Sequence, residues 1–173
     1  SYDALDRLKS VSDGSELLAS YDYNAVGNVT DIQFGNGVSE SYRYDQRNRL
    51  LEIDVLDGNN VPLAGYEYTL DGVGNRTRVE ALGGRTVDYT YDGLNRLLQE
   101  SITDAGAGDR TFDYAYDLVG NRLFRDDSLL GRTDYLFDDN HRLNQTTLGE
   151  EITNFTYDDN GSILQRGGVT YDW

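Results

Sequence analysis

The sequence has no cysteine and no methionine, and its 173 residues include one proline, Pro62, and one histidine, His141. Without cysteine there is neither a disulfide framework nor a thiolate metal site. With one histidine and no cysteine, Cys-His pairs and histidine-rich zinc centres cannot be assembled, and a Ser-His-Asp triad would rest on His141 alone. A chain without methionine even at position 1 is expected to be cut from something longer. Cations are also scarce: Lys plus Arg is 15 against 31 for Asp plus Glu, a net charge of −16. A field of that sign repels phosphate backbones and anionic bilayers, so neither nucleic acid nor a membrane is an expected partner. No apolar run approaches the ~20 residues of a spanning helix. No signal-peptide pattern opens the chain, so any secretion signal would belong upstream in a parent polypeptide.

What is abundant is tyrosine, 14 residues, and glycine, 19. They are periodic. An apolar or aromatic residue followed by Asp or Asn recurs at Tyr2-Asp3, Tyr23-Asn24, Tyr44-Asp45, Leu70-Asp71, Tyr91-Asp92, Tyr116-Asp117, Phe137-Asp138, Tyr157-Asp158 and Tyr171-Asp172. The intervals are 21, 21, 26, 21, 25, 21, 20 and 14 residues, so the ninth repeat is short. Every tyrosine stands at this anchor, two before it, or four before it. Period two places those rings on one face of a strand, where tyrosine is a good strand former and can pack across strands.

The acid after the anchor suits a turn, because its carboxylate accepts backbone N–H bonds two residues on. Four past the anchor stand Asp6, Gly27, Asn48, Gly74, Asn95, Gly120, His141 and Gly161. These residue types tolerate positive φ best, so the column is predicted to be left-handed. A second strand follows, with an apolar face expected at seven, nine and eleven past the anchor, as in Leu51, Ile53 and Val55 or Thr77, Val79 and Ala81. Each repeat is thus a strand, a tight turn and a strand.

The repeats alternate in kind. One class continues with Arg, at Arg7, Arg49, Arg96 and Arg142; the other has Gly followed by Asn or Ser, at Asn28, Asn75, Asn121 and Ser162. Unlike neighbours are expected to interlock. Gly-bearing turns separate the repeats, and the two longer intervals are absorbed in 57–62 and 104–109, which are expected to face solvent. No linker interrupts the array, so residues 1–173 are expected to form one domain with a sizeable core.

The phrases Tyr91-Asp92-Gly93-Leu94-Asn95-Arg96-Leu97 and Tyr116-Asp117-Leu118-Val119-Gly120-Asn121-Arg122-Leu123 resemble the YD repeat of the Rhs family. That family includes bacterial polymorphic toxins, shell subunits of insecticidal toxin complexes, and the teneurins of animals. The resemblance covers nearly the whole chain. It implies an all-β fold of tandem hairpins in a curved, spiralling antiparallel sheet, forming a segment of a hollow shell. It further implies a structural role in a secreted or cell-surface protein, with the rest of the parent polypeptide or an encapsulated effector as partner. Toxin members close the shell with a Pro- and Asp-rich cleavage segment. This chain has one proline, in a strand-connecting loop, so neither that cleavage nor the cargo is expected here.

Chemistry-bearing candidates are few. His141 occupies the turn column. Paired carboxylates could serve glycoside hydrolysis, yet most aspartates recur at one structural position, where a turn role accounts for them. Asp138-Asp139-Asn140 and Asp158-Asp159-Asn160-Gly161 resemble pieces of calcium loops without EF-hand spacing; turn chemistry explains them, with weak calcium binding as the alternative. No catalytic, cofactor-binding or metal residue is therefore assigned, no cofactor is expected, and the chain is read as a non-enzyme. The tyrosine face or the inter-repeat loops could instead bind a glycan or a cell-surface protein. About sixteen strands at ~4.8 Å would spread over roughly 77 Å, and open twisted sheets rarely exceed ~10 strands without curling. In isolation the array is expected either to collapse on its own side chains as a barrel or to join edge to edge as a small homo-oligomer.

Overall fold

The computed structural model describes residues 1–171. They form sixteen strands: β1 Ser10–Asp13, β2 Glu16–Tyr23, β3 Val29–Phe34, β4 Ser39–Tyr44, β5 Leu50–Leu56, β6 Pro62–Leu70, β7 Arg76–Ala81 and β8 Thr86–Tyr91, then β9 Leu97–Thr103, β10 Arg110–Tyr116, β11 Arg122–Asp127, β12 Gly131–Phe137, β13 Leu143–Leu148, β14 Glu151–Tyr157, β15 Ile163–Arg166 and β16 Val169–Thr170. Among the described residues there is no helix. The order of strands in the sheet is the order in the chain, ending at β1 and β16. The fold is therefore all-β, an antiparallel series of tandem hairpins. Asp172 of the ninth anchor lies outside the described residues.

The chain divides into two compact units, Ser1–Val87 and Asp88–Trp173, and the division falls within β8. In the first, the face bearing the tyrosines is mainly apolar across strands: Tyr42 pairs with Ile53, Ile53 with Tyr66, Tyr66 with Ala81, and Tyr68 with Val79, with Glu40 and Arg76 as polar exceptions. In the second, the same columns hold polar partners, Tyr114 opposite Arg125 and Tyr135 opposite Thr146. Tyrosines thus pack mainly on aliphatic or arginine neighbours, not on one another. A stacked ring pair does occur along β6, Tyr66 with Tyr68, at 6.5 Å and 4°.

Three expectations need correction. Position seven past the anchor is not part of a regular apolar face. Tyr44 pairs with Leu50 and Arg43 with Glu52, leaving Leu51 as the extra residue of a bulge. The same shift isolates Thr30, Thr77, Leu123, Asn144 and Leu164. A bulge beside a tight turn increases the local twist of the hairpin. Pro62 is the first residue of β6, not a loop residue, and there it withholds no ladder hydrogen bond that an interior position would need.

The third correction concerns the core. Only Ala19 and Val87 are buried apolar residues, at 7 % and 2 % exposure, so neither a sizeable core nor a barrel collapsed on its side chains is present among the described residues. The accessible surface is 11534 Å², against about 8500 Å² for a typical folded protein of 19.4 kDa. The physical reason is that each unit is a single layer. Within each unit, neighbours along the sheet cover the strand faces mostly in part, and among the described residues of that unit no second layer buries them.

Candidate functional site

The turns after the anchors carry most of the polar chemistry. In Asp45–Arg49 the Asp45 N–H donates to the Arg49 carbonyl at 2.9 Å and the Asn48 N–H to the Asp45 carbonyl at 3.0 Å. The Asp45 Oδ1 accepts from the Arg47 and Arg49 N–H groups at 2.8 and 3.0 Å. The expected bond two residues on is present, and a second, four residues on, closes the loop. Asp3, Asn24, Asp71, Asp92, Asp117, Asp138 and Asp158 repeat this pair of bonds. It is a three-residue hairpin loop with its last residue left-handed.

All eight residues of the predicted column have positive φ, and the two classes differ. Asp6, Asn48, Asn95 and His141 lie at 57–62°, in the left-handed helical well that Asn, Asp and His visit. Gly27, Gly74, Gly120 and Gly161 lie at 86–107°, beyond that well, where a Cβ is strained. His141 is a turn residue whose Nδ1 sits 3.1 Å from the Asn121 side-chain nitrogen.

The arginine of the first class joins one turn to the next. Arg49 donates from Nε to Asp45 Oδ2 at 2.7 Å and from Nη1 to the Asp71 carbonyl at 3.0 Å. Arg7 does the same with Asp3 and Asn24, and Arg96 with Asp92 and Asp117. Arg7, Arg96 and Arg142 also cover the next anchor ring, Tyr23, Tyr116 and Tyr157, at 4.5, 4.9 and 5.1 Å. In the other class Asn75 and Asn121 donate to the carboxylates of Asp71 and Asp117 at 2.9 and 2.8 Å. Asn28 reaches forward to Asn48 at 3.2 Å, as Asn121 does to His141. Unlike turns therefore interlock in both directions.

These contacts set the carboxylate acidities. The Arg7 guanidinium, helped by its own N–H, holds Asp3 down at about 2. The Arg49 and Arg96 N–H groups lower Asp45 and Asp92 most, with the guanidinium adding to the effect. The carboxylates of the Asp-Asp-Asn segments are engaged in the same way, Asp138 and Asp158 each accepting two backbone N–H bonds. Among the described residues no group of three or more His, Cys, Asp or Glu side chains is placed to hold a metal ion.

Asp127 stands eleven past its anchor, in a column that also holds Asp13 beside Phe34, Val55, Ala81, Ile102 and Leu148, and it is 1 % exposed. Arg110 grips it through two nitrogens, Nε at 2.9 Å from Oδ1 and Nη2 against Oδ2, and lies over Phe112 at 4.7 Å. The Leu129 N–H donates at 3.0 Å, and Arg125 Nη2 stands 3.7 Å from Oδ2. The Arg110 bonds hold the Asp127 carboxyl at about 2. This cluster has little sign in the sequence, since Asp13 occupies the same column.

No protein-family profile matches the chain, and no curated protein matches it. Solved structures do. The chain superposes over 99% of its length on 11% of a chain of the Photorhabdus luminescens Tc holotoxin pore carrying a TccC3 mutation, with a TM-score of 0.69 and 18% identity. For TcdB2–TccC3 the figures are 99%, 11%, 0.69 and 19%. For TcdB2–TccC3 without its hypervariable C-terminal region they are 87%, 9%, 0.72 and 14%. The chain thus spans about a tenth of the length of the chains it matches. The likeness establishes a fold: the tandem antiparallel hairpin architecture is shared with a stretch of the TcdB2–TccC3 assembly.

Proposed function

We propose that the chain is a scaffold segment of an Rhs/YD-repeat protein, part of a β-shell that encloses or presents another part of its parent polypeptide. The observation that carries this reading is a single-layer sheet whose stability lies in repeated turns and whose faces are mostly covered in part. Such a sheet suits a wall better than a catalytic domain. Further support comes from one turn position, where Leu5, Val26, Val73, Leu94 and Val119 are 66–75 % exposed. Aliphatics exposed at this position in five repeats are what a neighbouring stretch of the same wall would cover. On this reading 1–173 works as one structural region, its partner is the parent or an enclosed effector, and the parent is secreted or displayed at the cell surface. No catalytic step and no cofactor are assigned to it.

Electron cryo-microscopy of the full parent polypeptide tests the proposal. The reading expects these strands within a continuous closed wall around an interior. A free-standing sheet with both faces in solvent would overturn it.

A second reading has one observation in its favour. The ring of Tyr66, 41 % exposed and parallel to that of Tyr68, offers an aromatic surface of the kind sugars stack on. Glycan-array binding that is lost in Tyr66→Ala would favour this reading. The outer edges of β1, beyond the Ser10 that Ser1 pairs with, and of β16 also favour small edge-to-edge oligomers of the isolated chain, limited by its negative charge. Light scattering at low and high salt decides that point, a monomer under both conditions being the contrary result.

A further inference from the structure

Five of the arginines that cover an aromatic ring also hold a carboxylate. Arg7 covers Tyr23 and binds Asp3, and Arg96 covers Tyr116 and binds Asp92. Arg110 covers Phe112 and binds Asp127, Arg132 covers Phe124 and binds Asp134, and Arg142 covers Tyr157 and binds Asp138. The stack fixes the plane of the guanidinium, and its fork then meets a carboxylate with little further loss of freedom.

Two neighbouring arginines on β11 depart from this rule. Arg122 covers Tyr135 at 4.2 Å without a carboxylate. Arg125 lies over Phe112 at 5.6 Å, and its nearest acid, Asp127 at 3.7 Å, is already held through both oxygens by Arg110. The Nε atoms of Arg122 and Arg125 are buried and have no hydrogen-bond partner. An orphaned buried donor is costly, and with both Nε atoms closed to solvent an incoming group would meet these guanidiniums at their terminal nitrogens. Arg166 also covers a ring, Phe155, but at 5.9 Å and from an exposed residue.

The bulge brings the two together. Residues three apart on a strand normally face opposite ways. Here Tyr116 pairs with Arg122 and Tyr114 with Arg125, with Leu123 left unpaired, so both guanidiniums share the tyrosine face. Tyr114 and Tyr116 are two residues apart, which sets a spacing of roughly 7 Å between the arginines' attachment points. Burial, with Glu100, raises the Tyr114 hydroxyl above its ordinary pKa, and Arg125 and Arg122 both act against that rise.

We propose that Arg122 and Arg125 form a carboxylate-receiving pair that takes an aspartate or glutamate side chain from an acidic polypeptide segment. The chemistry of the occupant follows from Asp127, which shows on the same ring how a stacked guanidinium takes a carboxylate. The pair lies on the sheet face whatever the parent is, so this goes beyond the shell reading and does not depend on it.

The test is a titration of the unmodified chain with a tetraglutamate peptide, followed by the arginine Nε–Hε resonances in a nitrogen–proton NMR spectrum. Saturable shifts are expected at Arg122 and Arg125, with Arg96 and Arg110 unmoved. Tetraglutamine or sodium chloride at matched ionic strength should leave all four in place. In Arg122→Gln with Arg125→Gln, affinity read on the Tyr114 ring protons should fall by about tenfold or more, the effect of losing charge-assisted bonds. Unchanged Arg96 resonances would show that this variant is folded, and the unmodified chain decides the matter by itself if it is not. The assignment is overturned by absent shifts, by equal shifts with chloride, or by stronger binding of inorganic phosphate or heparin.

Discussion

The turns Asp45–Arg49 and Asp71–Asn75 close with the same backbone bonds, yet they are not interchangeable. In the first, Asn48 sits at φ 62° and Arg49 reaches forward to the next turn. In the second, Gly74 sits at φ 107°, Asn75 binds back to its own aspartate, and the Asp71 carbonyl receives the arginine. One turn gives and the other receives. In a single-layer sheet, which cannot draw on a core, such contacts carry stability from each hairpin to the next.

The largest effect should come from acid, which disables both turn classes together. The folded-state pKa values of Asp3, Asp45, Asp92 and Asp138 in one class, and Asp71 and Asp117 in the other, are all lowered. For Asp71 and Asp117 burial pushes upward, but the Asn side chain and backbone N–H bonds outweigh it. A carboxylate with a lowered folded pKa stabilises the fold above its unfolded value and loses that contribution as pH falls through the folded value. From 3.8 down to about 2 for Asp3, the window is acidic. The melting temperature should be level above roughly pH 5 and fall steeply between roughly pH 4 and 2. A level profile through that range would mean that the carboxylate bonds contribute little.

Next in size, Gly120→Val should destabilise the array by about 1–3 kcal/mol in chemical denaturation, because a β-branched residue is strained at that φ. An unchanged midpoint would remove the strain from the account.

Arginine truncation sharpens the difference between neighbours. Arg96 covers Tyr116, whereas the anchor after Arg49 is Leu70, which offers no ring. Arg96→Leu should therefore cost more than Arg49→Leu by about 0.5–1 kcal/mol, the worth of an exposed cation–π contact. Leu70→Tyr should narrow the gap, and equal costs before and after would show that the stack is idle. The smallest effect belongs to Asn48→Gly, within about 0.5 kcal/mol of the parent protein, since glycine accepts the same φ and loses only the Asn28 contact.

Much of this was legible in the residues. Asp or Asn at the turn start, the positive-φ column and the alternation of classes are local features, and local sterics and hydrogen bonding decide them. Asp57-Gly58-Asn59-Asn60 carries the same signal: Asn60 has φ 60° and Asp57 accepts from Asn59 and Val61, so this inter-repeat loop copies an anchor turn. It was read only as absorbed length. The missing core was not legible, because period-two alternation states that one face is apolar and not whether a second layer covers it. The bulge was missed for a related reason. A run such as Leu50-Leu51 does not say which leucine pairs with Tyr44. The arginines were noticed as a class but not as joints, since their partners lie 17 to 22 residues away. Arg110, Arg122, Arg125 and Asp127 do not stand out from their columns, and only the register puts them on one face.

The central claim is that this sheet is held together between nearest neighbours by its alternating turns. Hydrogen exchange of Arg96→Leu, residue by residue, tests it most directly. If the claim holds, protection falls at Asp92–Arg96, at Asp117–Asn121 and in the strands that flank them, while the amides around Arg49 and Arg142 keep theirs. A uniform loss of protection along all sixteen strands would contradict it.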